Sequence, residues 1–198
     1  LNLLSEEEYK KLMQKPTPRR ARVRNTQLIL KTIYGNGSIS RANVARATKL
    51  TPPTVSDVVA SLIESGLVQE VGLAPSSSGR RGILLKVVDN SRQLIGIDLS
   101  RGDFRGALAN LRGQIAHRID LPLQGRDGDA ALELVYDLVD ALVKSASSPL
   151  LGIGIGAPGL VDASNGILHQ SVNLNWRYIP FSNLLQKRYN LPVYLAND

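Results

Sequence analysis

The sequence predicts an α/β chain in two parts: a winged helix-turn-helix domain over residues 21–90, then an α/β lobe on a mixed sheet over residues 91–198. An N-terminal extension, residues 1–20, precedes both. Three observations predict this. Short capped helices fill the first part and lead into a hairpin pattern. Strand and helix periodicities alternate through the second. The entire basic excess of the chain falls within the first part.

Residues 22–34 set Val23, Leu28, Ile29, Ile33 and Tyr34 near the 3.6-residue period of a helix. Gly35, Asn36 and Gly37 stop it. Ser40 reads as the N-cap of a short helix over 41–48, with Val44 and Ala45 turned inward. Thr51 caps a third helix that opens on Pro52 and Pro53, where the missing N–H costs little. Val55, Val58, Val59, Leu62 and Ile63 continue it, and Gly66 closes it. Residues 67–71 alternate as a strand, 73–82 form a small-residue loop, and 83–88 form a second strand. Two helices joined by a tight turn match helix-turn-helix geometry, and the hairpin behind them adds a wing. Arg80 and Arg81 at the wing tip place guanidinium groups near phosphate or a minor groove.

The 198 residues carry a net charge of +7. Residues 1–90 hold 14 Lys/Arg against 7 Asp/Glu, and residues 91–198 hold 10 of each. Between Glu8 and Asp57 there are 11 basic side chains and no acid. Such a run reads as a surface for a polyanion, a solvated basic face being the plainer alternative. No stretch approaches the ~18 apolar residues of a membrane span. The first residues lack the apolar core of a secretory signal. The absence of cysteine excludes disulfides and thiolate metal sites, and fits a reducing, cytoplasmic setting.

In the second part, residues 93–99, 104–110 and 114–121 read as strands, with Leu111, Arg112 and Gly113 as a hairpin turn. Residues 127–147 form an amphipathic helix with Leu132, Val135, Leu138, Val139, Leu142 and Val143 on one face. A buried strand over 150–156, a helix over 180–189 and a strand over 192–196 follow. The order β-β-β-α-β-α-β fits half of an α/β domain. The chain stops directly after that strand, so it is expected to be a truncated copy of a longer protein.

The phrases GIGIGAPGLVD (152–162), NLNW (173–176) and LPVYLAND (191–198) resemble the ROK family, which groups sugar-responsive repressors with sugar kinases. The wing phrase SSGRRGILL (77–85) resembles the repressor branch. The resemblance implies that residues 91–198 are the first lobe, partial here, of an actin-like (ribonuclease-H-like) fold. In the kinases of the family the first hairpin reads Asp-x-Gly-Gly-Thr, and its glycines let backbone amides cradle ATP phosphates. Here Asp98 is kept, but Ser100 and Arg101 replace both glycines, which argues against ATP use. Asp98 is then a strand-end carboxylate satisfied locally.

The resemblance also implies a sugar pocket. Asp198 matches the family's proton-accepting aspartate, which in a repressor only accepts hydrogen bonds. Asn197 matches a sugar-contacting amide, and Gly159 a glycine whose backbone lies along the sugar ring. Asn173 is a weaker candidate. The further sugar ligands and the His/Cys zinc site of many family members are not in this sequence.

The expected function is a sequence-specific DNA-binding transcriptional regulator, a sugar-responsive repressor acting as a homo-oligomer. Its partners would be a double-stranded DNA operator and a small sugar or sugar-phosphate effector, with no membrane, cofactor, metal or catalytic residue. Arg22, Arg24, Arg41, Lys49, Arg80 and Arg81 would contact phosphates. Thr51, the cap of the third helix, would belong to the DNA-binding set as well, and Thr54 and Ser56 would face base edges. The alternatives are a sugar kinase with a DNA-binding head, and a DNA-binding module whose second domain only dimerises. Gly152, Gly154 and Gly156 imitate a dinucleotide fingerprint, but no helix follows directly, and a glycine-lined strand against a neighbour is preferred. His117 and His169 lack ligand spacing and read as structural or surface residues.

Overall fold

The computed structural model describes residues 17–74, 82–100 and 102–198. The chain divides after Val88 into two compact units. Asp89 and Asn90 belong to the second: Arg112 Nε donates to Asp89 Oδ1 at 2.9 Å, and Asn110 Nδ2 to Asn90 Oδ1 at 2.7 Å.

The first unit opens on helix α1 (Pro18–Asn36). It starts before residue 22 because Thr17 is extended and its hydroxyl accepts the Arg20 N–H at 3.4 Å, with proline at the helix start. Pro18 to Arg20 therefore form its first turn. The helix ends at Gly37, φ 69°. A two-residue strand β1 (Ile39–Ser40), helices α2 (Arg41–Thr48) and α3 (Pro52–Glu64), and strands β2 (Val68–Leu73) and β3 (Ile83–Val87) follow. The strands pair antiparallel in the order β1-β3-β2. β1 is too short to leave a periodic trace in the sequence. Ile29, Ile33, Val44, Val55, Val59, Val68, Leu85 and Val87 are essentially solvent-free and form the core. On α1 only the i,i+4 pair Ile29 and Ile33 is buried; Val23, Leu28 and Tyr34 remain exposed.

The second unit is a five-stranded sheet in the order β11-β7-β4-β5-β6. It comprises β4 (Gln93–Leu99), β5 (Asp103–Asn110), β6 (Ile115–Pro122), β7 (Leu150–Ala157) and β11 (Val193–Asn197). The first three form an antiparallel meander, and β7 and β11 run parallel to β4. Helices α4 (Gly128–Ser145) and α5 (Phe181–Tyr189) add to the core, together with Leu123, Leu168, Leu174 and Trp176. Ile95, Ile97, Phe104, Leu108, Ile153 and Ile155 meet Leu134, Val135, Leu138, Val139 and Leu142 of α4. Val143, expected on that apolar face, is 37% exposed. Gly152 lies where a Cβ would come within 2.9 Å of the Pro192 carbonyl, so the glycine admits the β11 chain.

A second antiparallel sheet, absent from the sequence-based order, fills residues 160–179. It joins β8 (Leu160–Asp162), β9 (Ile167–Ser171) and β10 (Trp176–Ile179) in the order β10-β9-β8. Trp176, the sole tryptophan, is 2% exposed, and its indole N–H donates to the Gly128 carbonyl at 2.7 Å. Phe104 and Phe181 lie at ring-centroid distances of 6.2 and 5.4 Å. Trp176 thus fastens β10 to the start of α4, and its fluorescence reports on the second unit alone. Trp176→Phe keeps most of the packing but removes the indole N–H that bonds the Gly128 carbonyl. Urea unfolding followed by circular dichroism is expected to show a loss of about 0.5–1.5 kcal/mol for that unit. An unchanged midpoint would contradict the assigned hydrogen bond.

Candidate functional site

The helix-turn-helix depends on three local devices. The Ser40 hydroxyl accepts the Asn43 N–H at 3.3 Å at the start of α2. The Thr51 hydroxyl accepts the Thr54 N–H at 3.4 Å at the start of α3 and lies 2.9 Å from the Thr54 hydroxyl. Each cap contributes about 1 kcal/mol. Between them Lys49 adopts φ 58°, the left-handed conformation that reverses the chain within a few residues. This places the Lys49 side chain, which is exposed, on the turn itself.

None of α1, α2 and α3 carries an acid in its first turn. Their positive N-terminal dipole ends are capped by hydroxyls and offset by no carboxylate of their own first turns. Arg22 and Arg24 are exposed on α1. The Arg22 guanidinium donates to the Ser61 hydroxyl at 3.4 Å, so it is directed at α3. Arg41 pairs with Glu70 of β2 at 2.8 Å, the two side chains being 33% and 43% exposed. An exposed pair of this kind contributes at most about 1 kcal/mol, so an incoming phosphate competes with it readily. The sequence reading missed Glu70, because its approach to Arg41 follows from the hairpin register. Arg80 and Arg81 lie outside the described residues, as does Arg101.

Thr54 and Ser56 do not share a face, being separated by about 200° around a helix with 3.6 residues per turn. Half-buried Thr54 lines a cleft between α1 and α3 with Arg22, Asn25 and Asp57. Exposed Ser56 lines a different groove, between α2 and α3, with Pro52.

In the second unit, the carboxyl ends of the three parallel strands converge. Asp98 of β4 is in register with Gly156 of β7, and Asn197 of β11 with Ala157. A Cβ on Gly156 would be 3.9 Å from the Asp198 Cβ. Asp98 and Asp198 therefore flank one glycine strand at the end where open α/β sheets bind ligands. The Ser100 hydroxyl is 3.4 Å from Asp98 Oδ2 and donates to the Asp103 carbonyl at 3.0 Å, closing the β4–β5 turn. Asn197 Nδ2 donates to the Gly159 carbonyl at 2.8 Å and reaches the Ala157 carbonyl at 3.5 Å. The amide thus pins the β7–β8 turn and leaves Oδ1 as its outward acceptor. Gly159 has φ 121°, and a Cβ there would stand 2.1 Å from the Gln170 carbonyl. The glycine is required by a neighbouring strand of the chain itself. Asn173 is exposed in the β9–β10 turn.

Asp162 closes the β8–β9 turn. Its carboxylate accepts from the Ser164 hydroxyl at 2.6 Å, the Asn165 amide at 2.7 Å and the backbone N–H groups of both. These bonds, led by those from the Ser164 and Asn165 side chains, pull its pKa from 3.8 to about 2. His169 Nε2 lies 4.0 Å from Asp162 Oδ2 and its ring stands edge-on to Tyr178 at 5.4 Å. His117 is exposed on β6. Among the described residues no group of three His, Cys, Asp or Glu could hold a metal ion. No described helix is long and apolar enough to cross a membrane.

Fold and sites together define a winged-helix protein with an actin-like α/β lobe. The chain belongs to the ROK family, which residues 94–198 match, while residues 23–69 match winged helix-turn-helix DNA-binding domains. The xylose repressor of Caldicellulosiruptor bescii is 36% identical over 178 residues, 88% of this chain and 45% of that protein. The N-acetylglucosamine repressor of Escherichia coli O157:H7 is 27% identical over 181 residues, 88% of this chain and 44% of that one. A crystal structure of a ROK family transcriptional regulator, a homologue of the E. coli MLC protein, superposes with a TM-score of 0.74 at 23% identity. It covers 89% of this chain and 46% of that one. The chain spans less than half the length of these relatives.

Two outcomes follow for the second unit. Gly159→Ala is expected to lower its urea stability by about 2–4 kcal/mol, since a strained backbone and a clash with a carbonyl must both be relieved. For Asp162, the depressed folded pKa means that its contribution to stability is complete above about pH 4 and disappears as the pH falls through about 2. A carboxyl NMR titration is expected to place its midpoint near 2. Joint replacement of Ser164 and Asn165 by alanine should return it toward 3.8; an unmoved midpoint would refute the hydrogen-bond origin.

Proposed function

We propose that this chain works in a sequence-specific DNA-binding transcriptional regulator, a cytoplasmic repressor of carbohydrate genes that responds to a small sugar or sugar phosphate. The observation that carries this reading is the acid-free run of 11 basic side chains, eight of them within the described residues on or beside the helices of a capped helix-turn-helix. Arg22, Arg24, Lys49 and, once released from Glu70, Arg41 supply phosphate contacts, joined by Arg80 and Arg81 from the wing. The start of α3, capped by Thr51, enters the major groove with Ser56 toward the bases, and Thr54 braces it from the α1 side.

The effector binds at the strand ends of the second unit. Asp198 accepts hydrogen bonds from a sugar hydroxyl, Asn197 offers Oδ1, and Gly159 shapes the turn that Asn197 holds. Sugar binding changes the relative stability of DNA-competent and DNA-incompetent arrangements of a homo-oligomer, which couples the two sites. No catalytic role is assigned: Ser100, whose hydroxyl closes the β4–β5 turn, and Arg101 stand where the family's kinases place glycines. Support comes from the repressors that the chain resembles along 88% of its length.

The test is fluorescence anisotropy of a labelled 30-base-pair duplex across a salt series. If all the named basic residues reach phosphates, log affinity falls against log salt with a slope of about −5. Lys49→Gly is expected to reduce that slope by about one while raising stability by up to about 1 kcal/mol, because glycine removes the left-handed strain. A slope near zero for the unmodified chain would overturn the reading.

A further inference from the structure

The solvent face of α3 lacks the side chains that usually read a purine. Its exposed residues are Pro52, Pro53, Ser56, Asp57, Ala60, Ser61 and Glu64, without an arginine, lysine, asparagine or glutamine. Bidentate recognition of guanine needs a guanidinium or ammonium, and that of adenine needs a carboxamide. Neither can come from this helix. Asp57, which could accept from cytosine, instead lines the cleft on the α1 side together with Arg22.

What the helix offers instead is apolar. An open groove of about 560 Å³ runs between α2 and the first turns of α3. Ala42, Ala45, Leu50 and Pro52 make its apolar lining, and Ser56 contributes a hydroxyl. Arg41 and Arg46 complete its margin, the first turned toward Glu70 and the second hydrogen-bonded to Asn43. The groove opens at the N-terminal end of α3, the part of a recognition helix that meets base edges. An apolar recess rimmed by guanidinium groups suits a ligand that is apolar at one point and anionic around it. In duplex DNA the major-groove feature of that kind is the thymine C5 methyl, set between phosphates.

Resting on the DNA-binding reading above, we propose that this groove seats thymine methyl groups. Sequence selection by the helix-turn-helix is then mainly for A·T pairs read through their methyls. Ser56 adds one hydrogen bond, donated to thymine O4 or accepted from adenine N6. Ala42, Ala45 and Pro52 become specificity-determining residues, although none of them carries a polar side chain.

The experiment selects duplexes from a randomised library with the 198-residue chain. It then compares the selected duplex with copies in which single thymidines are replaced by deoxyuridine, which lacks only the methyl. Removal of one seated methyl is expected to weaken binding about fourfold, the equivalent of one buried methylene, with an unchanged salt slope. Ala42→Asn, an exposed change on α2 that makes the groove narrower and polar, is expected to abolish the difference between thymidine and deoxyuridine. Equal affinity for both duplexes with a normal salt slope overturns this inference and leaves the regulator reading intact. The same holds if the selected sites lack thymine. Failure to bind any duplex overturns the regulator reading, and this inference with it.

Discussion

The left-handed backbone of Lys49 is the constraint on which the first unit depends. At φ 58° it reverses the chain between α2 and α3, a conformation that costs a non-glycine residue roughly 1–2 kcal/mol. The turn is held by its neighbours. The Leu50 N–H reaches the Thr48 hydroxyl at 3.4 Å, and the Thr51 hydroxyl caps α3. Val44 and Val55, both solvent-free, fasten the two helices to the same core. Because the turn is tight, Pro52 and Ser56 of α3 line one groove with Ala42 and Ala45 of α2. A lysine at this position exchanges local stability for a cation at the apex of the turn.

The second unit concentrates its chemistry by a different rule. Parallel strands in one sheet end side by side, so β4, β7 and β11 deliver Asp98, the Gly156–Gly159 turn and Asp198 to one edge without any long-range pairing of side chains. Asn197 adds a brace: its amide spans to the turn after β7 and fixes the carbonyl of Gly159. A residue suited by type to touch a ligand thus spends its nitrogen on the β7–β8 turn. Elsewhere polar bonds join the unit's two helices. Arg188 and the Tyr189 hydroxyl both meet Asp140 at 2.6 Å, and burial followed by that carboxylate pushes the Tyr189 phenol above its ordinary pKa.

Much of this was legible in the sequence, for identifiable reasons. Ser40, Thr51 and Gly66 are residues whose chemistry marks helix ends, and all three perform that role, Gly66 with φ 72°. Apolar runs located β4 and β7 of the larger sheet, and alternation located β5 and β6. Thr17 escaped notice because it precedes the first apolar residue of the helix it caps. The β8–β10 sheet escaped because strands of three to five residues are shorter than the window in which a period can be counted. The opposite directions of Thr54 and Ser56 follow from helix geometry alone and were available from spacing. The pairing of Arg41 with Glu70, and the loan of the Asn197 amide to Gly159, depend on tertiary register that no local pattern encodes.

On the proposed DNA-binding reading, the α2–α3 turn and the start of α3 form the surface that meets DNA. Amide chemical-shift mapping of the isotope-labelled chain, with and without a 30-base-pair duplex, tests it directly. Perturbation is predicted at the start of α2, across the Thr48–Thr51 turn and over the first two turns of α3, with β4, β7 and α4 silent. Perturbation confined to the second unit, or spread over both units without focus on that turn, would contradict it.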